Sequence, residues 1–198
     1  MMNDHYFTPD PGAASAPRAL VYTLPWGELR LTADNGVFSK DGVDKGSDLL
    51  IRSLPDWQGR MLDLGCGYGP VGLSLALKHP GSSVVMADIN ARAVALARQN
   101  AAANRITGVT VLQSDGFAAV EGSFGLIATN PPIRAGKAVF FPWCESARDR
   151  LEPCGWFYAV IRKKQGAESL ARHLAEVFGN CETVARSGGF HVLRAQKR

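Results

Sequence analysis

The chain lacks the features that mark a membrane-spanning, secreted or zinc-binding protein. Its longest apolar run, 138-AVFFPWC-144, is far too short to cross a bilayer. The N-terminus has no basic segment followed by an apolar one, so we expect a cytoplasmic protein with no membrane partner. The four cysteines form no CxxC pair and no metal-type spacing, which predicts free thiols and no metal site.

The chain also lacks an internal repeat and any sign of a second core. At 198 residues, 46% of them apolar, it is long enough for one well-packed domain. The cluster 9-PDPGAASAP-17 predicts a flexible N-terminal arm over residues 1–19, followed by a single domain over 20–198. The net charge of +4 is compatible with an anionic partner but does not require one.

Apolar strands and helical stretches alternate along most of the chain. The runs 20-LVYTL-24 and 28-ELRLT-32 predict a hairpin, and a short helix capped at Ser47 or Asp48 follows. The alternation beyond residue 60 predicts an α/β, Rossmann-like, doubly wound sheet of seven mostly parallel strands with an antiparallel last strand. We expect these strands at 60–64, 83–88, 109–113, 124–129, 156–161, 181–186 and 190–195, and helices at 70–79, 91–103, 137–150 and 166–178.

The glycine-rich stretch 61-MLDLGCGYGPVG-72 joins the first strand of this sheet to a helix. Such a turn lets a ligand approach the backbone closely. Asp63 precedes the first glycine and would repel a dinucleotide pyrophosphate, whereas it suits a ligand with a positive end, such as the ammonium of a methionine moiety. A nicotinamide-binding turn and a purely structural loop remain alternatives for this stretch alone.

Two further acids follow the next two strands. Asp88 in 84-VVMADIN-90 can accept both hydroxyls of a ribose, which fits NAD and S-adenosylmethionine equally. Helix capping by Asp88 or Asn90 is the simpler alternative. Asp115 in 113-QSDGF-117 could accept from an adenine amino group. Because the carboxyl ends of parallel strands share one edge, we expect the three acids to line one crevice.

The stretch 126-LIATNPPIRAGK-137 ends the fourth strand at the same edge. The two prolines remove two N–H donors, so the Asn130 side-chain oxygen and the Pro131 carbonyl oxygen form an acceptor-rich edge. Two acceptors suit an exocyclic amino group, whose lone pair then points at an electrophile. A plain proline turn would be the better interpretation if the three acids were absent.

The stretches DLGCGYGPVG, ADIN, SDGF and TNPPIRAGK, in this order, resemble those of class I S-adenosylmethionine-dependent methyltransferases. More narrowly, they are similar to the methyltransferase-small-domain group, which includes the small-subunit ribosomal RNA guanine-N2 methyltransferases. The resemblance extends to 37-VFSKDGVDKGS-47, which matches a segment that folds over the pocket. It implies a catalytic role for Asn130, Pro131 and Pro132. It implies cofactor contacts from Asp63, Gly65, Cys66, Gly67, Gly69, Asp88, Ile89, Asp115, Gly116 and Asn130.

The substrate is expected to be RNA, and two sets of residues are candidates for holding it. The first set lies in the segment over the pocket and beside the catalytic turn: Phe38, Ser39, Asp44, Gly46, Ser47 and Ile133. The second set is cationic and follows the fourth and fifth strands: Arg134, Lys137, Lys163 and Lys164. Four cations around one mouth suit the phosphates beside a guanosine turned out of its stack, although a solvated basic rim is equally compatible with them.

The chain departs from its relatives in three places. It has one domain, where the enteric ribosomal RNA enzymes of the family carry two. Ile133 stands where adenine-N6 and protein-glutamine methyltransferases usually place Tyr or Phe, and Arg162 stands where Gln is expected. Pro153-Cys154 is similar to the nucleophile of cytosine-C5 methyltransferases, but we expect it in a turn before the fifth strand, away from the site.

The resemblance therefore implies an enzyme that methylates the exocyclic N2 amine of a guanosine in 16S ribosomal RNA, with S-adenosylmethionine as cofactor. One alternative is a methyltransferase that acts on a protein glutamine or a small-molecule amine. The other is a ribosome-assembly protein that binds RNA and cofactor without turnover.

Overall fold

The computed structural model describes residues 8–9, 12–133 and 136–198, and its helices and strands lie close to the predicted positions. An N-terminal hairpin comes first, formed by β1 (Arg18–Leu24) and β2 (Gly27–Ala33), and α1 (Lys45–Ser53) follows it. The remaining elements are β3 (Arg60–Leu64), α2 (Pro70–Lys78), β4 (Ser83–Asp88), α3 (Ala91–Ala103), β5 (Val109–Gln113), β6 (Phe124–Thr129), α4 (Lys137–Arg150), β7 (Leu151–Arg162), a 3-10 turn (Lys163–Gln165), α5 (Ala167–Phe178), β8 (Glu182–Ser187) and β9 (Phe190–Gln196).

The main sheet has seven strands in the order β5-β4-β3-β6-β7-β9-β8. The pairs from β5 to β7 are all parallel, and β9 runs antiparallel to both β7 and β8. The prediction of a mostly parallel sheet with an antiparallel last strand is therefore confirmed. The strand order reverses at β3, which places the carboxyl ends of β3, β4, β5 and β6 around one crevice.

Side chains of successive strand residues alternate between two cores, one on each face of the sheet. Met61 and Met86 pack with α1, α2, α3 and the hairpin, whereas Leu62 and Val85 pack with α4 and α5. Because both faces are covered by helices, β3, β4 and β6 are apolar along nearly their whole length. Helices on both faces fix the strand ends rigidly, and the crevice is built on those ends.

Asn100 of α3 and Asn104, which caps the end of that helix, attach the hairpin to the domain. Asn100 Oδ1 accepts from Thr32 N at 2.7 Å, and its Nδ2 donates to the carbonyls of Thr32 and Tyr68. Asn104, one helical turn later, pairs in the same way with the backbone of Arg30. The two side-chain amides therefore pair with the backbone N–H and C=O groups at the outer edge of β2, as a neighbouring strand would.

The stretch before β1 is held by contacts with the domain. Asp34 Oδ2 accepts from Ser15 Oγ at 2.7 Å, and Asp34 Oδ1 accepts from Ala16 N at 2.5 Å. Arg92 donates to the carbonyl of Ala13 at 2.7 Å. Residues 1–7, 10 and 11 of the predicted arm lie outside the described residues.

The predicted cap of α1 at Ser47 or Asp48 is wrong. The cap is Asp44, whose Oδ1 accepts from Gly46 N at 2.8 Å and from Ser47 N at 3.3 Å. Both expected residues have other partners: Ser47 Oγ accepts from Asn130, and Asp48 accepts from the Tyr22 hydroxyl. Those partners are distant in the sequence, so the sequence around α1 did not show which of its capping-type residues would start the helix.

The fifth strand of the sheet, β7, begins at Leu151, five residues before the predicted start at 156. The expected turn around Pro153-Cys154 is an irregular part of the strand, where the pairing with β6 shifts between Leu151 and Trp156. Cys154 is exposed at the amino-end edge of the sheet, opposite the crevice. The position is in keeping with the expectation that this cysteine lies away from the site.

Candidate active site

A cavity of ≈ 380 Å³ opens at the carboxyl ends of β3, β4, β5 and β6. It brings together residues from every motif identified in the sequence. Among the predicted site residues, those that line it are Phe38, Ser39, Asp44, Ser47, Asp63, Gly65, Cys66, Gly67, Asp88, Ile89, Asp115, Gly116, Asn130, Pro131 and Pro132.

Asp63 is the most buried acid of the cavity, with 1% of its surface exposed. Its Oδ2 accepts from Gly72 N at 2.8 Å. Burial raises the pKa of Asp63, the hydrogen bond from Gly72 lowers it in part, and the charge of Asp88 adds to the rise, so that the pKa lies at about 7. A cation beside Asp63 would favour its ionised form, so this carboxyl suits a positively charged ligand group.

The glycine turn lies between Asp63 and α2, and its glycines have two different roles. Gly67 has a positive φ of 57°, and its N–H donates to Asp88 Oδ2 at 2.8 Å. Gly69 lies behind the turn at the start of α2, where a Cβ would meet Met86 Cε at 2.7 Å. Gly69, predicted as a cofactor ligand, has a left-handed φ of 101° that favours glycine, and it does not border the cavity.

The sequence left open whether Asp88 or Asn90 caps α3 and whether Asp88 is free to bind a ribose. The structure assigns the cap to Asn90. Asn90 caps α3, since its Oδ1 accepts from Arg92 N at 2.9 Å and from Ala93 N at 3.2 Å. Asp88 accepts from the N–H groups of Gly67 and Asn90 and turns its half-buried carboxylate towards the cavity. Burial raises the pKa of Asp88 above its usual range, although these hydrogen bonds act in the opposite direction.

Asp115 and Gly116 form the far side of the cavity, and Trp143 of α4 covers them. A Cβ on Gly116 would lie 2.5 Å from Trp143 Nε1, so the indole rests directly on that glycine. Trp143 and Val139, which also borders the cavity, were not predicted as site residues. Their spacing of four residues on a helix placed them on one face, and that periodicity was the available signal.

The side chain of Asn130 is oriented by two groups of α1 and its cap. Its Nδ2 donates to Ser47 Oγ at 3.0 Å and to Asp44 Oδ2 at 3.3 Å. The carbonyl of Pro131 accepts from Ile133 N at 2.8 Å and has a second lone pair available. The Asn130 amide oxygen is left as an acceptor at the cavity wall.

The segment between the hairpin and α1 forms one wall of the cavity. Phe38 is 37% exposed at the mouth, and the Ser39 carbonyl accepts from the Tyr68 hydroxyl at 3.4 Å. Gly46, predicted to contact the substrate, instead packs under Phe190, where a Cβ would lie 2.8 Å from Cε1. Ile133 does not border the cavity either.

None of the predicted cations within the described residues lines the cavity. Lys137 is exposed at the start of α4, and its Nζ donates to Ser169 Oγ at 2.8 Å. Lys163 and Lys164 are exposed in the turn after β7, at the same edge of the sheet as the cavity mouth. Arg134 lies outside the described residues.

Residues 8–9, 12–133 and 136–198 contain neither a metal-type cluster of side chains nor a membrane-type helix. No cluster of three His, Cys, Asp or Glu side chains there could hold a metal ion. Across the same ranges, none of the helices has the length and apolar character needed to cross a bilayer. All four cysteines are free thiols.

Comparisons with known proteins agree with the geometry of the site. The family model described as "Methyltransferase small domain" matches residues 28–194. The uncharacterized protein YbxB of Bacillus subtilis is 42% identical over 200 residues, which cover 99% of this chain and all of that protein. The ribosomal RNA small subunit methyltransferase C of Cronobacter sakazakii is 36% identical over 180 residues, 86% of this chain and 52% of that protein.

A similar solved structure is a 16S rRNA N2 methyltransferase of T. thermophilus in complex with AdoMet and guanosine. It has a TM-score of 0.83 and 31% identity, and the match covers 95% of this chain and 52% of that one. The chain thus spans about half the length of the ribosomal RNA methyltransferases that it matches.

Proposed function

The chain belongs to the methyltransferase small domain family, and from that membership we propose that it transfers a methyl group from S-adenosylmethionine to the exocyclic N2 amine of a guanosine in 16S ribosomal RNA. The observation that carries the proposal is the acceptor edge at Asn130, whose amide nitrogen is held by Asp44 and Ser47. The resemblance predicted from the sequence motifs is confirmed by the family match.

The residues of the cavity fit S-adenosylmethionine. The buried Asp63 carboxyl has no cationic partner in the described part of the chain, and it suits the ammonium of the methionine moiety. Asp88 presents a carboxylate for the two ribose hydroxyls, and the Trp143 indole offers an apolar surface beside Asp115 for the adenine. When bound, the cofactor supplies an electrophilic methyl group on a positively charged sulfur.

The residues of this chain contribute mainly by positioning the amine. The Asn130 amide oxygen accepts from one N–H of the amino group, and the Pro131 carbonyl accepts from the other. Both bonds draw the lone pair out of conjugation with the ring and direct it towards the cavity. As the methyl–nitrogen bond forms, the methyl–sulfur bond would break and leave the sulfur as a neutral thioether, and the cationic nitrogen would then lose one proton to water. No strong base is needed, so most of the rate arises from orientation.

The exposed lysines after β7 are proposed to contact the phosphates of the RNA. Lys163 and Lys164 follow the strand next to β6, whose end carries Asn130. Phosphate contacts position a strand without reading its sequence. The RNA partner follows from the proposed activity and from the ribosomal RNA methyltransferases among the relatives.

We expect Lys163→Ala with Lys164→Ala to weaken RNA binding for all sequences, because two phosphate contacts are lost. The slope of log affinity against log salt should flatten by about two units at most, as measured by fluorescence anisotropy. A matched control replaces Arg105 and Arg148, two exposed arginines at the opposite edge of the sheet. An unaltered slope in the lysine variant would show that both lysines are solvent-exposed residues that do not contact the RNA.

The proposed substrate is tested by supplying labelled S-adenosylmethionine with separate pools of ribosomal RNA, transfer RNA, DNA and protein. We expect label in 16S ribosomal RNA, recovered as 2-methylguanosine after nuclease digestion. Label in protein would instead favour a glutamine methyltransferase. Binding of cofactor and RNA without any transfer would favour a ribosome-assembly protein.

A further inference from the structure

The amide of Asn130 is nearly symmetric in shape but not in polarity, since one end accepts hydrogen bonds and the other end donates them. An amine substrate offers donors at the acceptor edge, so only the orientation with the oxygen towards the cavity is productive. Some other part of the chain must therefore hold the amide nitrogen away from the substrate.

Asp44 and Ser47 hold the amide in this orientation. Asn130 Nδ2 lies 3.3 Å from Asp44 Oδ2 and 3.0 Å from Ser47 Oγ. A carboxylate accepts hydrogen bonds and cannot donate them, so the amide nitrogen must face Asp44. The other oxygen of Asp44 is fixed by the backbone N–H groups of Gly46 and Ser47 at the start of α1.

We propose that Asp44 and Ser47 are positioning residues that set the polarity of the catalytic amide and do not themselves bind the RNA. This inference rests on the proposed function. It gives the α1 cap a second role, because one carboxylate starts the helix and also orients a side chain 86 residues further along the chain. It also replaces the substrate-binding role that the sequence predicted for Asp44 and Ser47.

The decisive variant is Asp44→Asn, which preserves shape and capping ability but adds a donor. The carboxamide oxygen introduced at position 44 would still accept from Gly46 N and Ser47 N, so the new NH2 group would face Asn130 Nδ2. Two donors cannot pair, and the Asn130 amide would rotate to place its own NH2 group towards the substrate. We expect turnover to fall by roughly tenfold, with S-adenosylmethionine affinity and melting temperature close to those of the wild type.

The double variant Asp44→Asn with Asn130→Asp exchanges the two groups and restores the polarity. The carboxylate introduced at position 130 would accept from the NH2 group introduced at position 44 and keep a second oxygen towards the cavity. We expect the double variant to regain roughly tenfold in turnover over the product expected from the two single variants. Asn130→Asp alone sets two carboxylates against each other, so its activity should depend on pH in a way that the double variant does not.

Two further variants complete the experiment. Ser47→Ala removes one acceptor without touching the cap and should lower turnover by a few-fold, which keeps the test informative if Asp44→Asn impairs folding. Asp48→Asn is the control, because Asp48 contacts Tyr22 and Arg52, and it should keep wild-type turnover. Additive effects of the two exchanges, or wild-type turnover in Asp44→Asn and Ser47→Ala, would overturn the inference. Absence of transfer in the wild type would count against the proposed function instead.

Discussion

Asn130→Ala should lower turnover by about a hundredfold or more, while the affinity for S-adenosylmethionine stays close to that of the wild type. The expected size is that of removing one preorganised group that acts in the transition state. The amide oxygen is preorganised here because Asp44 and Ser47 hold its nitrogen before any substrate arrives. The loss should appear in single-turnover rates at saturating RNA, and cofactor binding is followed separately by calorimetry.

The control for this variant is Asn180→Ala. Asn180 is a structural asparagine after α5, and its side chain binds the backbone of Phe178 and Gln196 at the opposite edge of the sheet. It should lower stability without lowering the single-turnover rate. A normal rate in Asn130→Ala would show that the amide has no part in activating the amine.

The positions of the strand-end acids could be predicted from the sequence because they depend only on the order and direction of the strands. Parallel strands have their carboxyl ends at the same edge of the sheet, so Asp63, Asp88 and Asp115 were expected together there. All three border the cavity. Asn130 follows the same rule at the end of β6. The ends of most strands were predicted to within one residue, because a buried parallel strand is a continuous apolar run with clear limits in the sequence.

The sequence could not place features that depend on long-range partners. Three capping-type residues lie within 44-DKGSD-48, and the sequence does not show that Asp44 caps α1 while Ser47 and Asp48 bind Asn130 and Tyr22. Gly69 and Gly46 look like ligand-binding glycines, yet Gly69 is favoured by its left-handed backbone conformation and Gly46 by the Phe190 ring packed against it. Trp143 borders the cavity although Phe140 and Cys144 on the same helix are buried in the core, and the helical period alone does not tell these positions apart.

Asp63→Asn should weaken S-adenosylmethionine binding by about a hundredfold, since a charge-assisted contact to the ligand ammonium becomes a neutral one. The variant keeps the shape of Asp63 and an oxygen that can accept from Gly72 N. Glu121→Gln, which removes an exposed acid at the opposite edge of the sheet, is the control and should bind normally. NAD should bind to none of these proteins, and preferential binding of NAD would contradict the cofactor assignment.

The same substitution should change how binding and stability depend on pH. Burial raises the pKa of Asp63 to about 7, above the value of about 3.9 expected in the unfolded chain. The folded protein therefore holds an extra proton between these values. The stability that this proton provides is complete below about pH 4 and is lost as pH rises through 7. Without cofactor, Asp63→Asn should thus melt higher than the wild type at pH 8, and this gain should shrink towards pH 5.

The affinity for the cofactor should change with pH in the opposite direction to the stability, because a ligand ammonium favours the ionised carboxylate. Wild-type affinity should rise with pH up to about 7, with one proton released on binding below that point, and should fall again as the ligand ammonium loses its own proton near about pH 8. Calorimetry in two buffers of different ionisation enthalpy measures that proton directly. In Asp63→Asn the released proton and the rise in affinity should both disappear. A variant that kept the wild-type affinity and pH dependence would exclude Asp63 from the cofactor site.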